Sequence, residues 1–210
     1  MTSDIRLPSR NEVLGLAIVF AGTLVWSWID AKDRLTWWLE AAPALAAFII
    51  LAVTATRFPL TRLSYWLICG HALVLLVGAH YTYAEVPAFD WVRDTFHQTR
   101  NNYDKLGHFV QGFVPALIAR ELLLRTSPLK PGKWLFVIIV LACLGISAAY
   151  ELIEWQVAIH TGTAADAFLG AQGDIWDTQE DMATALVGAI AGLLSLSSMQ
   201  DRELGLANGK

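Results

Sequence analysis

The sequence predicts an all-α, polytopic membrane protein folded as one bundle of about six transmembrane helices. Three observations lead there. Of 210 residues, 55% are hydrophobic and only 16% are charged, against about 25% charged in a soluble domain. The mean hydropathy is +0.46. Apolar runs recur at about 20 residues, the length that crosses a hydrocarbon core about 30 Å thick. Other classes are excluded by the same arithmetic. A chain this apolar with a net charge of −4 is not disordered. A pI near 5.7 and the lack of a basic stripe argue against a nucleic-acid partner. Two cysteines make neither a disulfide scaffold nor a structural zinc site.

The first run, about Val13–Ile29, is long and apolar and is not followed by a small-residue cleavage site, so it reads as a span rather than a cleaved signal. The second is Trp37–Thr56, the third Leu63–Tyr83, the fourth Leu106–Leu124, the fifth Trp134–Trp155 and the sixth Met182–Met199. Together they use most of the chain, so residues 1–210 form a single integral membrane domain. No internal repeat of the kind found in many transporters is visible.

Lysine and arginine set the orientation. With both termini in the cytoplasm, the inner segments hold Arg6, Arg10, Arg57, Arg62, Arg120, Arg125, Lys130, Lys133, Arg202 and Lys210. The outer ones hold Lys32, Arg34, Arg93, Arg100 and Lys105, a bias of ten to five. Trp37, Trp38, Trp66, Trp134 and Trp155 fall near span ends, where an indole ring suits the headgroup layer. The expected location is the bacterial inner membrane, as a multi-pass protein.

Charge within a span costs about 2.5–3.5 kcal/mol at mid-bilayer, so polar residues there are informative. Three groups stand out. Entering the fourth span, Asp104, His108 and Gln111 share one helix face at i, i+4 and i+7. Asp104 alone would serve as a helix cap, but His108 and Gln111 lie too deep for that. Leaving the fifth span, Glu151 and Glu154 sit side by side. In a last helical turn they would oppose the dipole and repel each other, unless the helix ends early and both are solvated. Entering the sixth span, Asp174, Asp177 and Asp181 form one stripe with Gln179 nearby. Caps and dipole favour any one of these aspartates, but not the need for all three.

The topology puts all three groups near the outer face. Glu85, Asp90, Asp94, Asp104, Glu151, Glu154, Asp166, Asp174, Asp177, Glu180 and Asp181 face only Arg93, Arg100 and Lys105 there, eleven acids against three bases. Such a basin calls for cations. Carboxylates with one imidazole and an amide suit Mg, Mn, Ca or Zn, and Asp104, His108, Glu151, Asp174, Asp177 and Asp181 are the expected metal ligands. His108, Glu151 and Glu154 are the expected catalytic groups, with Gln111 and Gln179 supporting them. Cys69 and Cys143 lie inside spans and read as core residues.

Several intramembrane chemistries lack their letters here. There are no paired arginines with Ser-Gly-His for an acid-type lipid phosphatase, and no Gly-x-Ser-Gly for a serine protease. Of the CDP-alcohol transferase pattern, only the Asp177/Asp181 spacing is present.

The segments YDKLGHFVQGFVPALIAREL, AAYELIEW and GDIWDTQEDMATALVGA resemble the YjdF-like family of bacterial inner-membrane proteins, from about Tyr103 to Gly192. The resemblance implies the six-span layout and the location, and no activity. A looser likeness extends to VanZ-like membrane proteins, associated with glycopeptide resistance, through Asp104, Lys105, His108, Phe109, Glu151, Asp177 and Gly188. The arginine-rich approach to the last VanZ helix is replaced here by Asp174 to Asp181, which puts any shared ligand in doubt.

Other polar residues read more plainly. His71 and His80 lie near one face of the third span and could join the basin, although packing is the ordinary role of such histidines. Arg120, Glu121 and Arg125 read as interfacial, snorkelling groups. Gly188 and Gly192 make a close-packing surface, within the bundle by default and otherwise at a homodimer interface. The functional expectation is a metal-dependent hydrolase or transferase acting on a lipid or lipid-linked group at the outer leaflet. The alternatives are a proton- or cation-coupled transporter, or a non-catalytic module that binds an envelope lipid or a glycopeptide. Membrane lipids are the expected partners.

Overall fold

Each long apolar run becomes a helix, and local sequence sets several of the starts. A computed structural model describes residues 5–162 and 166–206. Lys210 and the side chain of Asp166 lie outside the described residues. Helix α1 (Arg10–Trp28) opens on a capping box in which Ser9 and Glu12 each bind the other's backbone N–H. Helix α2 (Arg34–Thr54) is capped by Asp33, which accepts from Thr36 N at 2.7 Å. Helix α3 (Arg62–Tyr81) is capped by Thr61. A short helix, α4 (Pro87–Thr95), starts on a proline at its first turn. Then come α5 (Tyr103–Thr126), α6 (Lys133–Thr161), the single turn α7 (Asp166–Leu169) and α8 (Asp177–Glu203). There is no strand among the described residues.

The six long helices alternate in direction, so α2, α5 and α8 begin, and α1, α3 and α6 finish, at one end of the bundle. Five of them, α1, α2, α3, α6 and α8, are both long and apolar enough to cross a membrane. At 24 residues, α5 is long enough too. Its charged and polar side chains keep it below the apolar threshold, and it buries them at the centre of the bundle instead. Leu14, Ile18, Val25, Ile49, Leu141 and Leu194 point outward as a lipid-facing coat. Trp38, Trp66, Trp134 and Trp155 are exposed near helix ends as expected for interfacial anchors. Trp37 is not one of these. It is buried, donates from its indole N–H to Ser27 Oγ at 3.1 Å, and packs between α1 and α3.

The closest helix pair is α5 and α8, which run parallel. Glycines make that approach possible. A Cβ on Gly112 would overlap the Ala185 carbonyl, and one on Gly188 would overlap the Phe109 carbonyl. A Cβ on Gly192 would fall 2.7 Å from the Phe113 carbonyl. The small-residue face of α8 is therefore covered by α5 of the same chain, in the packing role.

At the other end of α5, the snorkelling expectation fails. Glu121 is fully buried and accepts four hydrogen bonds, from Thr61 N, Thr61 Oγ1, Ser64 Oγ and Arg125 Nη1, at 2.6–2.8 Å. Arg120 is buried against Gln200 and Asp201. Glu203 accepts from Leu63 N at 2.7 Å. These bonds tie α3, α5 and α8 together. A carboxylate this enclosed is tolerated because donors surround it.

Candidate functional site

The site is assembled at the end of the bundle where α5 and α8 begin. His108, one turn into α5, is buried. Its Nε2 lies 3.5 Å from Asp104 Oδ1, 3.8 Å from Glu151 Oε1 and 3.8 Å from Asp181 Oδ1. Its Nδ1 is 2.9 Å from Gln111 Oε1, one turn further on. When Nδ1–H donates to that oxygen, Nε2 presents its lone pair to the carboxylates, the tautomer a metal ligand needs. Two triplets of side chains bring their ligand atoms within 4.8 Å of one another: Asp104, His108 and Asp181, and His108, Glu151 and Glu154. They share the imidazole and come from α5, α6 and α8.

The backbone explains why these carboxylates are not merely caps. Helix α5 starts at Tyr103 without a side-chain cap from Asn102, and Asp104 turns inward to His108 and to Arg100 at 3.6 Å. Helix α6 runs on to Thr161, well past the expected end at Trp155. Glu151 and Glu154 are thus not in a last turn, and neither an early helix end nor a dipole cost applies to them. Glu151 is buried and faces His108, while Glu154 is partly buried.

Two expected ligands are held elsewhere. Asp177 is the hub of an ion-pair cluster: Arg100 Nη1 lies 2.5 Å and Lys105 Nζ 2.9 Å from its Oδ1. Asp174 lies 3.5 Å from Arg100 and accepts from Trp176 N. Neither carboxylate belongs to one of the metal-capable triplets. Lys105 also reaches Asp181 at 2.9 Å and Glu180 at 3.4 Å. Burial opposes the charge of Arg100, but the hydrogen bond and charge of Asp177 outweigh it, so its pKa is raised. Gln179 is exposed and stands apart from the site.

A cavity of about 200 Å³ opens beside His108. Its lining includes Asp104, His108, Gln111 and Glu154, together with Glu40, His71, Tyr83 and Tyr150. Glu40, Tyr83 and Tyr150 are not among the groups that the sequence singles out. Glu40 carried a signal, as a carboxylate inside an apolar span is a functional candidate by default. Arg100 was counted only as a loop base, and its burial needed the fold to be seen. The two histidines of α3 divide: His71 lines the cavity, with its buried Nε2 lacking any partner among the described residues. His80 bonds Ser27 O through Nδ1 and stacks on Trp26, away from the site.

Comparisons with known proteins agree on the membrane and are silent on chemistry. The family model described as predicted membrane protein (DUF2238) matches residues 13–202. The inner membrane protein YjdF of Escherichia coli (strain K12) is 46% identical over 188 residues, 90% of each chain. These matches do not show the looser VanZ likeness. No solved structure matches.

Proposed function

Because the chain belongs to the DUF2238 family of membrane proteins and is a multi-pass inner-membrane protein, we propose that its buried carboxylate–imidazole centre holds a divalent cation and performs hydrolysis or group transfer on a lipid or lipid-linked group. The observation that carries this reading is the position of His108 Nε2 within 4 Å of carboxylates on three helices, with Nδ1 held by Gln111. Four carboxylates and one imidazole are a hard-to-borderline donor set, suited to Mg, Mn, Ca or Zn. A cation there would lower the pKa of a bound water. That water would attack a phosphoryl or acyl centre and form the new bond to oxygen. The bond to the leaving oxygen would break, with Glu154 delivering its proton while Asp104, His108 and Asp181 hold the cation.

Transport is the rival reading, and depth argues against it. A pathway needs polar groups from one face to the other. Below His71 and Gln111 lies a tight apolar layer of Ala116, Leu117, Ile139, Cys143, Ala189 and Leu193. The polar cluster beyond it has its carboxylate Glu121 saturated by four donors.

The test is to purify the protein without chelator and measure bound metal and turnover of an inner-membrane lipid extract. Near-stoichiometric divalent metal, lost in His108→Ala and in Asp181→Asn together with lipid turnover, is the expected result. Equal trace metal in wild type and both variants would sink it.

A further inference from the structure

The cavity beside His108 holds further chemistry. Tyr83 follows directly on α3, and Thr82 and Tyr83 both sit in the left-handed region at φ 60° and 37°. That conformation is costly for non-glycine residues and persists only when the surroundings hold it. The holding is visible: the Tyr83 ring is wedged between Gly78 of α3 and Gly107 of α5, where a Cβ at either position would collide with it. The ring is only 6% exposed, and its hydroxyl lines the cavity without a hydrogen-bond partner. A rigidly placed, buried, unsatisfied hydroxyl is expensive unless a ligand meets it.

Its neighbours define the ligand. Glu40, 5% exposed, accepts one long hydrogen bond, from the Tyr150 hydroxyl at 3.3 Å. Glu154 and Asp104 face the same space. Arg100 and Lys105, the two bases at the start of α5, pair with Asp177, and no lysine or arginine lines the cavity. The occupant must therefore bring positive charge and several N–H donors, and two tyrosine rings suit a cation as well. At about 200 Å³ the cavity has room for more than a bare ion.

A way in is also present. Helices α2 and α6 are joined by the Tyr150–Glu40 hydrogen bond, and the short α7 packs on both. Leu35 and Leu39 of α2 and Leu152, Ile153 and Val157 of α6 line a largely apolar groove of about 450 Å³, with Gln156, His160 and Thr161 also on its wall. An acidic cavity behind an apolar groove matches an amphiphile with a cationic head and hydrocarbon tails.

We infer that the cavity is the headgroup site for a primary-amine membrane lipid, which enters between α2 and α6 and has its ammonium group bound by Glu40, Tyr83 and Glu154. This rests on the reading of the His108 centre as acting on a lipid-linked group, and it names the substrate class.

The experiment reads binding, not turnover. The full-length protein is placed in nanodiscs containing equal parts of ethanolamine, choline and glycerol phospholipids, and the retained lipids are identified by native mass spectrometry. Ethanolamine lipid is enriched on the wild type, falls about tenfold in Glu40→Gln, falls in Tyr83→Phe, and stays enriched in Gly145→Ala, where a Cβ meets nothing within 4 Å. No enrichment in the wild type, or enrichment of the choline or glycerol lipid instead, overturns the inference. So does ethanolamine enrichment that survives both Glu40→Gln and Tyr83→Phe. Metal content measured on the same samples separates the two readings. A wild type that lacks metal but enriches ethanolamine lipid through Glu40 refutes the cation centre and leaves the headgroup site standing.

Discussion

His108 and Gln111 form a single unit: the imidazole Nδ1 lies 2.9 Å from the amide oxygen one turn deeper in α5, and the other ring nitrogen faces Asp104, Glu151 and Asp181. The amide fixes both the tautomer and the ring plane. Gln111→Leu removes that restraint without touching a carboxylate. Metal affinity should fall about 10- to 100-fold, the usual cost of losing the hydrogen bond behind a ligating histidine. Competition with a fluorescent chelator measures it, and an unchanged affinity would mean the amide does not orient the ring.

Asp177 and Asp181 sit one turn apart on α8 but do different work. Asp181 faces both His108 and Lys105, whereas Asp177 faces Arg100 and Lys105. Asp181→Asn should abolish metal retention. Asp177→Asn should retain metal with reduced affinity and lower the thermal midpoint, because it leaves buried Arg100 short of its closest partner. Equal metal loss in the two variants would place Asp177 in the centre after all.

The glycines of the bundle divide by what they touch. Gly188→Ala drives a Cβ into the Phe109 carbonyl and should cost about 1–3 kcal/mol or more, since neither backbone can move aside. Gly145→Ala on α6 meets nothing within 4 Å. It should be neutral or stabilise by about 0.5–1 kcal/mol through helix propensity alone. Unfolding in mild detergent compares the two.

Glu121 is far from the candidate site, yet it should matter more for stability than any site carboxylate. Glu121→Leu strips the partners from Thr61, Ser64 and Arg125 at once and should destabilise by about 3–5 kcal/mol. In the fraction that remains folded, metal affinity should match the wild type. A shift in that affinity would reveal coupling between the two ends.

Much of the architecture was legible because hydrocarbon is a simple solvent. Apolar runs of the right length gave the long helices, and the i, i+4, i+7 spacing of Asp104, His108 and Gln111 put them on one face before any coordinates. What composition could not reveal was pairing. Asp174 and Asp177 look like ligands until Arg100, seventy-odd positions earlier in the chain, is seen between them. Arg120, Glu121 and Arg125 read as interfacial because an i, i+4 pair at a helix end usually is. Their burial depends on Thr61, Ser64 and Gln200 arriving from α3 and α8. Trp37 read as an anchor for the same reason, since nothing local announces that Ser27 waits for its indole N–H. Tyr83 left no trace in the periodicity, because its place is set by a backbone turn and two glycine slots.

The parallel seating of α5 on α8 has a consequence for biogenesis. During synthesis α5 leaves the ribosome carrying Asp104, Lys105, His108, Arg120 and Glu121, while Asp177, Asp181, Gln200 and Asp201 are still unmade. Each unpaired charge taxes insertion by about 2.5–3.5 kcal/mol if it reaches the bilayer centre. The fifth helix is thus a reluctant one, and its residence in the bilayer becomes secure only when the final helix docks. A nascent chain halted before Asp177 should leave that segment open to proteases or held by the insertion machinery, and the whole bundle should mature in one late step.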